Sequence, residues 1–264
     1  MVTNAIVVLM YHRIGEARNA WEQKYCVSPE RFASQMAALA ALGMRGISID
    51  DFAAWLDGGP SLPAGSILIT FDDGFLGVRE HALPVLERHG WPATVFLVTD
   101  LIGQQDEWTK ADNPDGATYP LLNANDISDM AARGISFHSH TCSHASLPAL
   151  DDARLAEELS RSRRYLNETF GYGSEFLAYP FGHLDDRVES AARAAGYRAA
   201  FSTQPGFNRP GVNRFRIRRL DVFGTDTPDM LRRKVRLGSN DGRLGHMAHY
   251  YLDRLKHRLI GAAP

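Results

Sequence analysis

Thr70-Phe71-Asp72-Asp73-Gly74 puts two neighbouring carboxylates directly after an apolar run. Adjacent side chains diverge and like charges repel, so an ionised pair needs a compensating partner. A cation bound to one of them would relieve the repulsion and leave the other free as a base. A solvated turn is the plain alternative. A second cluster, His138-Ser139-His140-Thr141-Cys142-Ser143-His144, carries three of the chain's ten histidines. The step of four from His140 to His144 lets two imidazoles converge where a helical turn begins. Joined to one aspartate, they make a two-histidine, one-carboxylate set that leaves metal positions open for water and substrate. His138 shares a strand face with His140 and is expected behind the ligands rather than among them, and Cys142 is expected to point elsewhere. Ala178-Tyr179-Pro180-Phe181-Gly182 is a third element. Its proline and glycine fix a turn. Either the Phe181 N–H is exposed to stabilise a developing oxyanion, or the phenylalanine simply packs.

Short apolar runs alternating with amphipathic stretches must position these clusters. Strands are expected at 5–10, 47–49, 66–71, 93–98, 135–138, 176–179, 197–202 and 215–222, with helices at 29–42, 50–56, 78–89, 125–133, 151–170 and 185–195. This alternation predicts an α/β fold of parallel strands with crossover helices. Seven or eight strands favour a closed or nearly closed barrel, and all three clusters fall at strand ends, where such barrels collect catalytic groups. The polar stretch Gly103 to Pro120, with Trp108 inside it, is too long for a simple connection and is expected to be a functional loop.

Composition narrows the function classes. Hydrophobic residues at 44% and charged residues at 23% suit a globular chain. A net charge of -2 leaves no surplus of positive charge for a nucleic-acid partner. No Gly-x-Gly-x-x-Gly follows the first strand and no phosphate-binding loop occurs, so nucleotide folds lose support. Cys26 and Cys142 are expected as free thiols. The run Ala5 to Met10 is short and lacks a basic start, so it is expected as a buried strand rather than a signal peptide. With no window near the ~20 apolar residues of a membrane span, a cytoplasmic location is the expectation.

Taken in order and spacing, Thr70–Gly74, His140–His144 and Tyr179–Gly182 resemble the motifs of the polysaccharide deacetylase family, the NodB-homology domain of carbohydrate esterase family four. The resemblance covers roughly residues 5 to 225. It implies a distorted, incomplete (β/α) barrel of about seven parallel strands, hydrolysis of N-acetyl groups on hexosamines, and one divalent metal. Zinc is the first expectation, with cobalt, nickel or manganese as alternatives. Asp73, His140 and His144 match the family's metal ligands, Asp72 its base and the Phe181 amide its oxyanion donor. His12, in Leu9-Met10-Tyr11-His12-Arg13, resembles the N-terminal histidine that serves as general acid in the permuted poly-N-acetylglucosamine branch. The chain departs from the family at Ala178, where an arginine usually steadies the base. Arg219, or failing it Arg218, is expected to supply that charge. The late leucine-x-histidine motif has only a superficial echo in Leu244-Gly245-His246.

Trp108, Tyr179 and His183 are expected to line the sugar site. The expected substrate is an N-acetylated amino-sugar glycan or glycolipid. A deformylase or other amidohydrolase acting on a lipid-linked amino sugar, and an inactive glycan-binding barrel, are the alternatives. Residues 1–230 are expected to form the catalytic barrel and 231–264 a basic helical extension. Leu244, Met247, Tyr250, Tyr251, Leu255 and Leu259 punctuate that basic stretch. It is expected to pack on the barrel, and peripheral contact with an anionic membrane face, the inner membrane included, is the other reading.

Overall fold

The first long helix shows how local signals set the frame. Ser28 caps it, its hydroxyl accepting from the Arg31 N–H, and Pro29 occupies the first turn. The computed structural model describes residues 5–243 apart from residue 172, together with Gly245. Over these residues the chain runs β1 (Val7–Tyr11), β2 (Arg13–Ile14), β3 (Cys26–Val27), α1 (Pro29–Ala41), β4 (Arg45–Gly46), α2 (Ile49–Leu56), β5 (Ser66–Phe71) and α3 (Leu83–His89). It continues with β6 (Ala93–Leu97), α4 (Ala124–Ala131), β7 (Ile135–Ser139), α5 (Asp152–Phe170) and β8 (Phe176–Ala178). The last elements are α6 (Asp186–Ala194), β9 (Ala199–Phe201), β10 (Leu220–Asp221) and α7 (Pro228–Leu237).

Seven strands curl in the order β10-β1-β5-β6-β7-β8-β9, every pair parallel. The expected incomplete (β/α) barrel is the observed fold. β4 pairs with the first part of β5, at Ser66 and Ile67, whereas β6 pairs with its end, at Thr70 and Phe71.

Successive strand residues face opposite ways, and the core divides accordingly. Leu9, Tyr11, Ile69, Phe71, Val95 and Phe137 pack outward, with Phe32 and Met36 of α1 and Leu86 of α3 in the same cluster. Val8, Leu68, Phe96, Phe176 and Phe201 turn inward and meet Ile49, Phe52 and Trp55 of α2, which plugs one end of the curl. Toward the strand ends several of the inward positions are polar: Thr70 and Asp72, His138 and His140, Arg219 and Asp221. The site therefore rests on an aromatic floor.

Three boundaries differ from expectation. The strand expected at 47–49 lies at Arg45–Gly46, because the Ser48 hydroxyl accepts from the Asp51 N–H and starts α2 at Ile49. The strand expected over 215–222 is split. Ile217 pairs with β9, its N–H donating to Ala200 O and its carbonyl accepting from Ser202 N, while Leu220–Asp221 pairs with β1. One segment thus reaches from one edge of the sheet to the other. Finally, the boundary expected after residue 230 falls inside α7, whose Leu231 and Val235 belong to the outward core. Buried Lys234 of the same helix donates to Asp226 and to the Asp221 carbonyl. Residues 246–264, with Leu244, lie outside the described residues, and with them most of the basic stretch. Both cysteines are free and buried. Among the described residues no helix is long and apolar enough to cross a membrane.

Candidate metal centre and active site

Asp73 follows β5, and His140 and His144 follow β7, so the loops after two strands that flank β6 deliver the three groups to one point. His140 Nε2 lies 3.4 Å and His144 Nε2 3.3 Å from the same oxygen, Asp73 Oδ1. The three ligand atoms lie within 4.8 Å of one another, and all three residues are buried. His140 Nδ1 sits 2.8 Å from the Ala178 carbonyl, which can only accept. That nitrogen therefore carries the proton and leaves Nε2 with a free lone pair.

The donors fit a divalent cation. Asp73 Oδ1 is buried with no hydrogen-bond partner among the described residues, and a buried unpaired oxygen of this kind costs stability unless something else satisfies it. Burial would raise the Asp73 carboxyl, yet His140 and His144 hold it far below the ordinary carboxylate value. It is therefore an ionised donor of the kind a cation takes. Burial acts to lower both imidazoles: it prevails at His144, whereas the Asp73 and Asp72 carboxylates outweigh it at His140.

Backbone strain gathers here too. Among the described residues, the non-glycine residues with left-handed φ are Asp73 (73°), Thr141 (68°), His144 (62°) and Phe181 (57°). Such conformations cost of order 1–3 kcal/mol each and persist only where surroundings enforce them. For the histidine turn the enforcement is visible. The N–H groups of Thr99 and Asp100 donate to the carbonyls of Thr141 and Cys142. From the other side, the buried Glu158 of α5 accepts from Cys142 N at 2.8 Å, Ser143 N at 3.0 Å and Ser143 Oγ at 2.6 Å. Glu158→Ala would strand two amide donors, so unfolding free energy in urea is expected to drop by about 2–4 kcal/mol. A drop under about 0.5 kcal/mol, the usual size of a bland surface change, would show the turn to be self-supporting.

Asp72 stands beside the ligand set, held differently. Arg219 forms a two-pronged pair with it, Nη1 to Oδ1 at 2.6 Å and Nη2 to Oδ2 at 2.8 Å. Burial would push the Asp72 carboxyl up, but Arg219 and His140 hold it below the ordinary value. Arg219 is itself fully buried, anchored by Nε to the Ser202 carbonyl and facing the rings of Phe96 and Phe201. Arg218 instead donates to the Pro205 carbonyl. Of the two arginines expected to replace the one absent at Ala178, Arg219 is the one that reaches Asp72.

The remaining expected residues divide. His12 lines the same cleft as Asp72, Asp73, His140 and His144, its ring 4.9 Å from that of Tyr25. Phe181 lies on the rim, half exposed at 53%. Trp108 is in the cleft but stacks on His144, centroids 4.5 Å apart at 25°. Tyr179 departs from expectation: its ring packs with Leu177, Val188 and Phe215, and its hydroxyl donates to the Phe215 carbonyl. Only its backbone is left to border the cleft. His183 also departs, lying exposed beside Ser146 Oγ and absent from the cleft lining. His138 is buried against Phe96 and Phe176, and burial lowers it to about 3, so it is a neutral floor residue.

The cleft is about 330 Å³. One wall is the stretch Gly103 to Pro120, joined to the loop after β2 by the buried carboxylate of Glu22. That carboxylate accepts from Arg13, the Arg18 N–H, Asn113 and the Tyr119 hydroxyl. Sequence reading missed this network, since its hydrogen-bonded partners lie up to 97 residues apart. It also missed Asp221, which lines the cleft with its carboxyl raised by burial and moderated by the nearby charge of His12. The period-two step from Arg219 to Asp221 on one strand face was the available signal.

Known proteins match this arrangement. The sequence profile described as polysaccharide deacetylase matches residues 60–200. A poly-beta-1,6-N-acetyl-D-glucosamine N-deacetylase of Staphylococcus epidermidis is 27% identical over 246 residues, covering 84% of this chain and 82% of the relative. The structure of IcaB from Ammonifex degensii superposes with a TM-score of 0.74 at 28% identity, covering 89% of this chain and 97% of that one. A polysaccharide deacetylase from Bacillus cereus gives 0.70 at 27% identity, covering 85% and 66%. With the profile spanning both aspartates, both histidines of the triad and the Phe181 turn, the chain belongs to the polysaccharide deacetylase family.

Proposed function

We propose that this chain hydrolyses the N-acetyl groups of N-acetylhexosamine units in a glycan, with Asp73, His140 and His144 as metal ligands. The observation that carries this reading is the buried triad converging on one unpaired oxygen beside a second aspartate that is ionised, arginine-held and outside the triad. Bound by the triad, a divalent metal, zinc foremost, would polarise the acetyl carbonyl and the attacking water.

The chain's own groups then divide the proton work. Asp72 takes the proton of the water as its oxygen attacks the acetyl carbon, and Arg219 keeps that carboxylate ionised and aimed. The Phe181 N–H donates to the oxygen that gains negative charge. His12 gives a proton to the departing nitrogen as the C–N bond breaks, which an amide leaving group requires. The products are acetate and a free amine on the sugar. A module that only bound glycans would have no use for a base kept ionised at this cost.

The rim supports a sugar ligand. Trp21, Tyr25 and Phe181 are three of the four exposed large hydrophobics among the described residues, and all three line the cleft. Flat aromatic faces suit the apolar faces of pyranose rings. A glycolipid precursor or a formyl amide would meet the same machinery. A screen of acetylated and formylated oligosaccharides and sugar-lipids, read by amine release, separates these substrates. Metal analysis alongside is expected to give about one divalent ion per chain, falling below about a tenth in His140→Ala. A metal-loaded chain that releases no amine from any acetylated hexosamine would overturn the proposal.

A further inference from the structure

The two imidazoles of the triad are held by different means. His140 has its outer nitrogen bonded to the Ala178 carbonyl. His144 Nδ1 is buried and has no hydrogen-bond partner among the described residues. Ligand histidines ordinarily owe their orientation to a hydrogen bond at the nitrogen away from the metal, so something else must fix this ring. What surrounds it is aromatic. Trp108 lies flat against one face, centroids 4.5 Å apart at 25°, and Phe181 presents an edge-to-face contact at 4.5 Å and 68°.

We propose that Trp108 is a positioning residue for the metal, clamping His144 by ring stacking in place of the missing hydrogen bond. This rests on the reading of Asp73, His140 and His144 as metal ligands. Trp108 is suited to the task because its own loop is pinned. Asp106, two residues earlier, accepts from the Tyr119 N–H and from Thr109 Oγ1 at 2.8 Å, and the Thr109 N–H returns to the Asp106 carbonyl at 3.1 Å. Tyr119 is in turn tied to Glu22 by a 2.6 Å hydrogen bond and packs beneath the Arg13 guanidinium. The loop is therefore a rigid arm whose tip is an indole. His144 also has left-handed φ, so its backbone is not at rest, and a ring free to turn about its side-chain bonds would lose the lone-pair direction toward Asp73. Stacking by a flat ring restricts that rotation while leaving Nε2 clear.

The clamp predicts a metal phenotype for a residue that offers no ligand atom. Metal-free wild type, Trp108→Phe, Trp108→Leu and Trp108→Ala are titrated with cobalt(II). Visible absorption reports coordination, and zinc competition gives affinity. Trp108→Ala is expected to weaken metal binding about 10–100-fold, the range for loss of an orienting partner. Trp108→Phe, which keeps a flat face, is expected within about three-fold of wild type. Trp108→Leu fills space without a stacking face and should behave like Ala, with a broadened cobalt spectrum. Thermal unfolding of the metal-free proteins separates loss of fold from loss of clamp. Leu rescuing as well as Phe would overturn stacking in favour of simple packing, and unchanged affinity in Trp108→Ala would overturn the clamp altogether. A wild type that takes up no cobalt or zinc would overturn the clamp and the ligand assignment together. Loss of deacetylation with metal affinity intact would count against the Proposed function alone.

Discussion

Asp72→Asn is expected to lower kcat by about 10³-fold, within the 10²–10⁴ range of a lost general base, while metal stoichiometry stays that of wild type. The split is sharp because neighbouring aspartates have separate partners. Asp73 faces both imidazoles, and Asp72 gives both its oxygens to Arg219. An amide at position 72 keeps an acceptor for the guanidinium but has no lone pair basic enough to take a proton from water. Steady-state amine release beside metal analysis of the same preparation measures both quantities. If metal were lost together with activity, Asp72 would be a ligand and the division of labour would fail.

Arg219→Met should be nearly as damaging, by another route. Removing one member of a buried ion pair leaves a bare charge, a loss of about 3–5 kcal/mol. Both partners are fully or almost fully buried, so little solvent screening softens it. The pH dependence follows from the direction of the shift. In the wild type the Asp72 carboxyl lies below its ordinary value. Its stabilising contribution is therefore complete above the ordinary carboxylate range and is lost as pH falls through the lowered value. Without Arg219 the largest remaining influence is burial, which pushes the carboxyl up. The acidic limb of kcat/KM should move to higher pH, and the variant should recover part of its lost stability on acidification. Arg219→Lys keeps the charge but not the fork and should fall between. A pH–rate profile whose acidic limb does not move in either variant would dismiss Arg219 as the residue tuning the base.

Much of this was legible before any coordinates, for physical reasons that differ by element. β5 reads clearly because a strand covered on both faces must be apolar throughout, and α1 because serine and proline mark its start. The metal set reads because a carboxylate pair and a histidine pair each sit where a strand ends. The failures share a cause. The Tyr179 ring looked available because its turn is near the site, but alternation along β8 turns it outward into packing with Val188 and Phe215. His183 follows the Phe181 turn closely in sequence, yet the left-handed backbone at Phe181 and Gly182 leaves it outside the cleft. Residues 215–222 looked like one strand because Phe215 and Ile217, and again Leu220 and Val222, alternate with polar residues, and nothing local tells which neighbour each half will pair with. Glu22, Asn113 and Tyr119 meet only after folding, so no window of sequence contains them together.

The sealing segment between β9 and β10 sets an order of events. As the chain leaves the ribosome, Asp73, His140 and His144 all appear before Arg219. The three converging side chains are thus made while the counter-charge of Asp72 is still unsynthesised. The counter-charge arrives late, with the stitch that joins the two edges of the sheet.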